Sequence, residues 1–195
     1  MRLNHNKIVY FFILLFLFSG CKSLKIKSSD EFKIFQQIRN DRNLNNMYLI
    51  KEAEREGFKN FLIKESGDTM FDMWEWDSLQ NFISYKDAKT IFNENEIRNY
   101  AEQLETSFEW TEHYTSKIIN RNDLNQLKNE AYRNGINYFF VSLSKIVYTK
   151  DKQYALVYYS YTDVITTSNG QSGLLIYKVD EGKWKYFTEL FLMIA

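Results

Sequence analysis

The chain has 195 residues, and its 25 lysines and arginines balance 25 aspartates and glutamates, leaving no formal net charge at pH 7. Such a balance offers no field to draw in nucleic acid or a strongly acidic partner, so neither is expected as the main target. With 17% aromatic residues and no proline, the chain has ample core material and is not of disordered composition, and its length suits one domain with its own core.

In chain order, the first feature is Met1 to Cys21. Arg2 and Lys7 form a basic start, Ile8 to Phe18 is an unbroken apolar run, and Phe18-Ser19-Gly20-Cys21 follows. The run falls short of the roughly 20 residues that cross a ~30 Å hydrocarbon core, so it has the shape of an export signal rather than a membrane span. Its ending resembles the lipobox of bacterial lipoproteins, in which a small residue precedes the cysteine that is lipidated and becomes the first residue of the mature protein. Phe18 departs from the leucine usual in that family. Cys21 is the only cysteine in the chain, which rules out a disulfide within it and suits acylation. The resemblance implies a signal peptide over 1–20, palmitate-type acyl chains on Cys21, and a lipid-anchored protein of the bacterial cell envelope. Lys22 follows Cys21 where an acidic residue would argue for retention, so the same resemblance implies the outer membrane.

Residues 21–29 read as a polar, basic tether, and 30–195 as a single folded domain. Ser28 and Glu31 match a capping box, opening a helix whose Phe32, Phe35 and Ile38 share a face; Asn40 to Asn46 ends it. Met47 to Ile50 and Phe58 to Ile63 fit strand or helix equally. Trp74-Glu75-Trp76-Asp77 precedes a short helical stretch, Ser78 to Ile83. Asn93 and Glu96 form a cap pair for a helix over Glu94 to Glu105, with Ile97, Tyr100, Ala101 and Leu104 at helical spacing. A further helix, Asp123 to Asn134, aligns Leu124, Leu127 and Ala131 and stops at Gly135, which suits a left-handed C-terminal cap.

Four apolar and aromatic runs follow: Tyr138 to Thr149, Gln153 to Ile165, Leu174 to Val179 and Trp184 to Ile194. Turn residues separate them: Lys150-Asp151-Lys152, Ser168-Asn169-Gly170 and Asp180-Glu181-Gly182-Lys183. Short links pair sequential strands, so these runs predict a four-stranded antiparallel meander. Helices that precede strands indicate an α+β fold, with N-terminal helices packed on a C-terminal sheet. In the second run Tyr154, Leu156 and Tyr158 point one way and Ala155, Val157, Tyr159 and Tyr161 the other. Neither face is polar, so both need cover. Tyr158, Tyr159, Tyr161 and Tyr177, on adjacent strands, are therefore candidates for a recognition surface.

Catalytic chemistry is sparse. Beyond the signal His113 is the only histidine, so ordinary zinc and copper sites are not expected, and neither a catalytic set nor a cofactor motif is present. Glu112 and Tyr114 could orient His113 as a base, or it could be an ordinary loop histidine. Trp74 and Trp76, beside Glu75, Asp77 and Asp72, suit sugar binding; the same alternation is what a half-buried strand produces.

The pattern Ser142, Thr149, Asp151 and Tyr154-Ala155-Leu156-Val157, then Gly173-Leu174-Leu175-Ile176-Tyr177 and Gly182-Lys183-Trp184-Lys185, resembles a group of small exported bacterial proteins and lipoproteins. That resemblance spans roughly Asn93 to Glu189 and implies no activity. By architectural analogy alone, the sheet could curve into a cone around a pocket. The expected protein is thus a membrane-anchored binding module for a protein or small ligand. The alternative is a small hydrolase or isomerase with its pocket between helices and sheet.

Overall fold

The computed structural model describes residues 29–62, 82–163 and 170–194. Helix α1, Asp30–Asp41, starts one residue later than the expected capping box, because Ser29 is its N-cap and accepts from the Phe32 N–H at 3.2 Å. Asp30 and Glu31 in the first turn suit the positive end of the helix. A short 3₁₀ turn, Leu44–Asn46, leads to β1, Tyr48–Ile50. Next come α2, Glu56–Leu62, then α3, Tyr85–Ile91, and α4, Glu94–Glu105. Asn93 caps α4 as its sequence predicts, its side-chain oxygen accepting from the Asn95 and Glu96 N–H groups, both at 3.1 Å. After β2, Ile118–Ile119, helix α5 spans Leu124–Asn134 and ends on Gly135 at φ 64°. The sheet strands that follow are β3, Phe139–Leu143, β4, Val147–Tyr148, β5, Tyr154–Asp163, β6, Gln171–Asp180, and β7, Lys183–Ile194.

The class is α+β, as expected, but the sheet is larger than a four-stranded antiparallel meander. Its order is β2-β1-β3-β5-β6-β7, with β4 also paired to β5. β3 and β4 together make the first expected run, and the link Ser144 to Ile146 breaks it in two. The pairings from β3 through β7 are antiparallel, whereas β1 runs parallel to both β2 and β3. The sheet is therefore mixed and open. Residues 180–183 close the β6–β7 hairpin with Glu181 at φ 49° and Gly182 at φ 73°, the two left-handed residues of a turn whose twist matches the strands.

Both faces of this sheet are covered. On one face, Phe58 and Leu62 of α2, Ile91 of α3 and Tyr100 and Leu104 of α4 enclose Leu156, Leu174, Ile176 and Leu190. Farther along that face, Ala131 of α5 packs with Ile50, Ile119 and Phe140. On the other face, Ile34, Phe35 and Ile38 of α1, together with Trp110, cover Val141, Val157, Leu175, Tyr177 and Trp184. Each large apolar side chain so buried contributes roughly 1.5–3 kcal/mol relative to exposure. α4 is also held by polar bonds: Gln103 accepts from the Tyr148 N–H at 2.9 Å and donates to the Tyr148 carbonyl at 2.7 Å. A side-chain amide thus satisfies backbone groups of β4 that would otherwise need another strand.

Candidate functional site

Polar chemistry concentrates on the α1 face, toward the end where α1 stops. Tyr159 on β5 lies opposite Gly173 on β6, which in turn lies opposite Phe191 on β7. A Cβ on Gly173 would stand 2.8 Å from both the Leu190 carbonyl oxygen and the Tyr159 hydroxyl. The missing side chain lets the Tyr159 ring cross β6, so its hydroxyl donates to the Glu189 carboxylate. Arg42, at the C-terminal cap of α1, pairs with the same carboxylate and stands 5.6 Å over the Tyr159 ring.

The Glu189 side chain is 6% exposed and that of Arg42 22%. Burial alone would lower the Arg42 pKa, but the hydrogen bond and charge of Glu189 more than offset it. Burial, and then its bond to Glu189, raises the Tyr159 hydroxyl. Burial pushes Tyr161 up to about 12, tempered by Arg42. These phenols stay neutral, and the Glu189 carboxylate is the acceptor that the Tyr159 hydroxyl and the Arg42 guanidinium share. The Tyr177 hydroxyl, likewise raised by burial, is enclosed with no hydrogen-bond partner among the described residues.

Beyond Arg42, Leu44 and Met47 on the link to β1 pack into the same cluster as Tyr161, and the described part of the face carries exposed aromatic rings. Tyr161 is half-buried, its ring 4.9 Å from that of Tyr159. Phe139 on β3 and Phe191 on β7 flank the row at 46% and 43% exposure, and Tyr186 is 46% exposed. No protein-family model matches this chain, nor does any curated protein or solved structure.

The four tyrosines read from the sequence do not form one surface. Tyr159 and Tyr177 are fully buried beneath α1. Tyr158 faces the other way, stacked on Phe58 with ring centroids 6.2 Å apart. It also presses on Gly57, where a Cβ would meet its ring at 2.8 Å. Tyr161 is half-buried at the margin of the cluster under α1. Trp74, Trp76 and Cys21 lie outside the described residues, as does most of the short helix expected over Ser78 to Ile83. His113 is exposed and packs against Phe32 with ring centroids 4.6 Å apart. Among the described residues no group of His, Cys, Asp or Glu side chains could hold a metal ion, and no helix is long and apolar enough to cross a membrane.

A cleft of about 220 Å³ lies between the start of α2 and the end of α4, lined by Glu52, Ala53, Arg55, Leu104, Phe108 and Lys145 among others. Its charges are engaged in holding loops together. Glu52 accepts from the Arg121 N–H at 2.9 Å, Arg55 pairs with Glu105 at 2.7 Å, and Lys145 donates to the Gln103 carbonyl at 3.2 Å. Sequence reading passed over Arg42, Gly173, Glu189, Phe139 and Phe191. A carboxylate inside the apolar run from Phe187 to Ile194 was the available signal, since a charge placed in a core strand requires a partner.

Proposed function

We propose that this chain is a lipoprotein of the bacterial cell envelope, held to the outer membrane by acyl chains on Cys21, and that its folded domain works by binding rather than catalysis. The occupant is a protein or small ligand that meets the aromatic band of Phe139, Tyr161 and Phe191 beside Arg42. One observation carries the reading: α1 stops short of this end of its face and leaves large rings exposed next to a buried ion pair. Exposed aromatic groups around an arginine are the composition of binding hot spots.

Two measurements test the reading. Cys21→Ser should move the protein from the membrane to the soluble fraction; persistence in membranes would refute the anchor. A photo-crosslinking residue at Phe139 or Phe191, in intact cells, should give a discrete adduct that the same residue at Glu130 on α5 does not. Equal or absent adducts at all three positions would refute the band as the binding site.

A further inference from the structure

The cleft between the start of α2 and the end of α4 lies where two parallel strands stop. β1 ends at Ile50 and β3 at Leu143, and the chain beyond each, Glu52 to Arg55 and Lys145, lines the hollow. Crevices outside the carboxyl ends of parallel strands, where neighbouring connections diverge, are favoured ligand sites. Backbone bonds fix the walls of this one. The Ala53 N–H donates to the Phe108 carbonyl at 3.2 Å, the Glu54 N–H to the Leu143 carbonyl at 2.9 Å, and the Trp110 N–H to the Lys51 carbonyl at 2.8 Å. The hollow is therefore preformed. Its volume of about 220 Å³ is below the roughly 300–1,000 Å³ of pockets for drug-sized ligands, so its occupant is small.

The charges that line the cleft divide into two kinds. Glu54 pairs with Arg121 at 3.1 Å, Arg55 with Glu105 at 2.7 Å and Glu109 with Lys51 at 3.0 Å. Glu52 and Lys145, both half-buried, make no ion pair among the described residues. Each is held by one backbone group: Glu52 Oε2 accepts from the Arg121 N–H, and Lys145 Nζ donates to the Gln103 carbonyl. That leaves Glu52 Oε1 and two of the three ammonium protons unused. Lys51 and Glu31 feel these two charges from farther off and pair with neither. Ala53, Leu104 and Phe108 supply apolar lining. A half-buried charge is costly without a partner, and here there is one of each sign. A simple carboxylate or a simple amine would answer one of them and leave the other; a zwitterion answers both.

We propose that this cleft binds a free α-amino acid with an apolar side chain, its ammonium on Glu52, its carboxylate on Lys145 and its side chain against Phe108. The site lies beyond the end of β3 opposite to Phe139, so it is distinct from the aromatic band and does not depend on it. Calorimetric titration of the full chain, solubilised in detergent, compares L-phenylalanine with phenylpropanoate, which lacks the ammonium, and phenylethylamine, which lacks the carboxylate. L-Phenylalanine should bind saturably and about tenfold or more tighter than either, the scale of one charged hydrogen bond. Glu52→Gln keeps an acceptor for the Arg121 N–H and should erase the preference over phenylpropanoate while leaving that over phenylethylamine. Lys145→Met should do the reverse. A merely structural role for these two residues would not produce that reciprocal pattern. Absence of saturable binding by both L-phenylalanine and L-leucine overturns the site, and so does equal binding of the three phenyl compounds. Variants that weaken all three compounds alike overturn the roles given to Glu52 and Lys145.

Discussion

Removing one member of the Arg42–Glu189 pair should cost more than removing both. In Arg42→Met the Glu189 carboxylate, 6% exposed, keeps only the Tyr159 hydroxyl as partner among the described residues. Breaking a buried ion pair from one side typically costs 3–5 kcal/mol, because the remaining charge is desolvated without compensation. The 22% exposure of Arg42 lets some water reach the vacated space, so the lower value, about 3 kcal/mol, is expected. That is a large share of the 5–15 kcal/mol by which ordinary domains are stable. Arg42→Met combined with Glu189→Gln removes both charges while keeping an acceptor for the buried Tyr159 hydroxyl, and should cost less than Arg42→Met alone. Guanidinium unfolding followed by fluorescence reads all four proteins of the cycle, with buried Trp110 and Trp184 as internal reporters. If the double variant loses as much as the two single variants added together, the sites are independent and the buried-pair argument fails.

Trp184 is 7% exposed and lies 5.7 Å, centroid to centroid, from Tyr148; Trp184→Ala should cost about 3–5 kcal/mol, and a measured loss under about 1 kcal/mol would contradict its place in the core. Gly173→Ala should destabilise by about 1–3 kcal/mol as overpacking, because the Leu190 carbonyl that its Cβ meets belongs to the backbone and cannot swing away; a neutral result in the same unfolding assay would show that β6 and β7 separate freely there. Asp87 is held at a pKa of about 2: burial raises it, but bonds from Ser84, Tyr154 and Lys178 lower it further. Its folded pKa is below the unfolded value of ~3.9, so its contribution is present above about pH 4 and is lost as pH falls toward 2. After allowance for solvent screening this amounts to about 1–2 kcal/mol, and Asp87→Asn should flatten that part of a stability-against-pH profile.

Elements specified by neighbouring residues were legible in the sequence. Asn93 with Glu96, and Gly135 after Asn134, mark helix ends by local hydrogen bonding and by one left-handed residue, and both lie where expected. The β6–β7 turn is of the same kind. Tyr48–Ile50 was ambiguous because three residues carry no period; parallel neighbours from distant parts of the chain make it a strand. Ile118–Ile119 carries still less signal. Side-chain parity correctly separated Tyr158 from Tyr159, yet it gave no hint that α1 covers one face and α2 to α4 the other. Helix-to-face assignment is a packing outcome. Arg42 and Glu189 escaped notice for the same reason, since 147 residues separate two charges that meet only when α1 docks on β7.

That separation also sets an order of events. A chain synthesised from its N-terminus delivers α1 first and β7 more than a hundred residues later, so the apolar side of α1 must wait for the strand it covers. Gln37 bonds the Trp184 carbonyl, Arg42 bonds Glu189, and the Thr188 hydroxyl bonds the Phe82 carbonyl at 2.9 Å. The last strand thus fastens segments that emerged much earlier, on both sides of the sheet. A chain ending before β7 lacks every one of these bonds, so the final strand completes the closure of both faces.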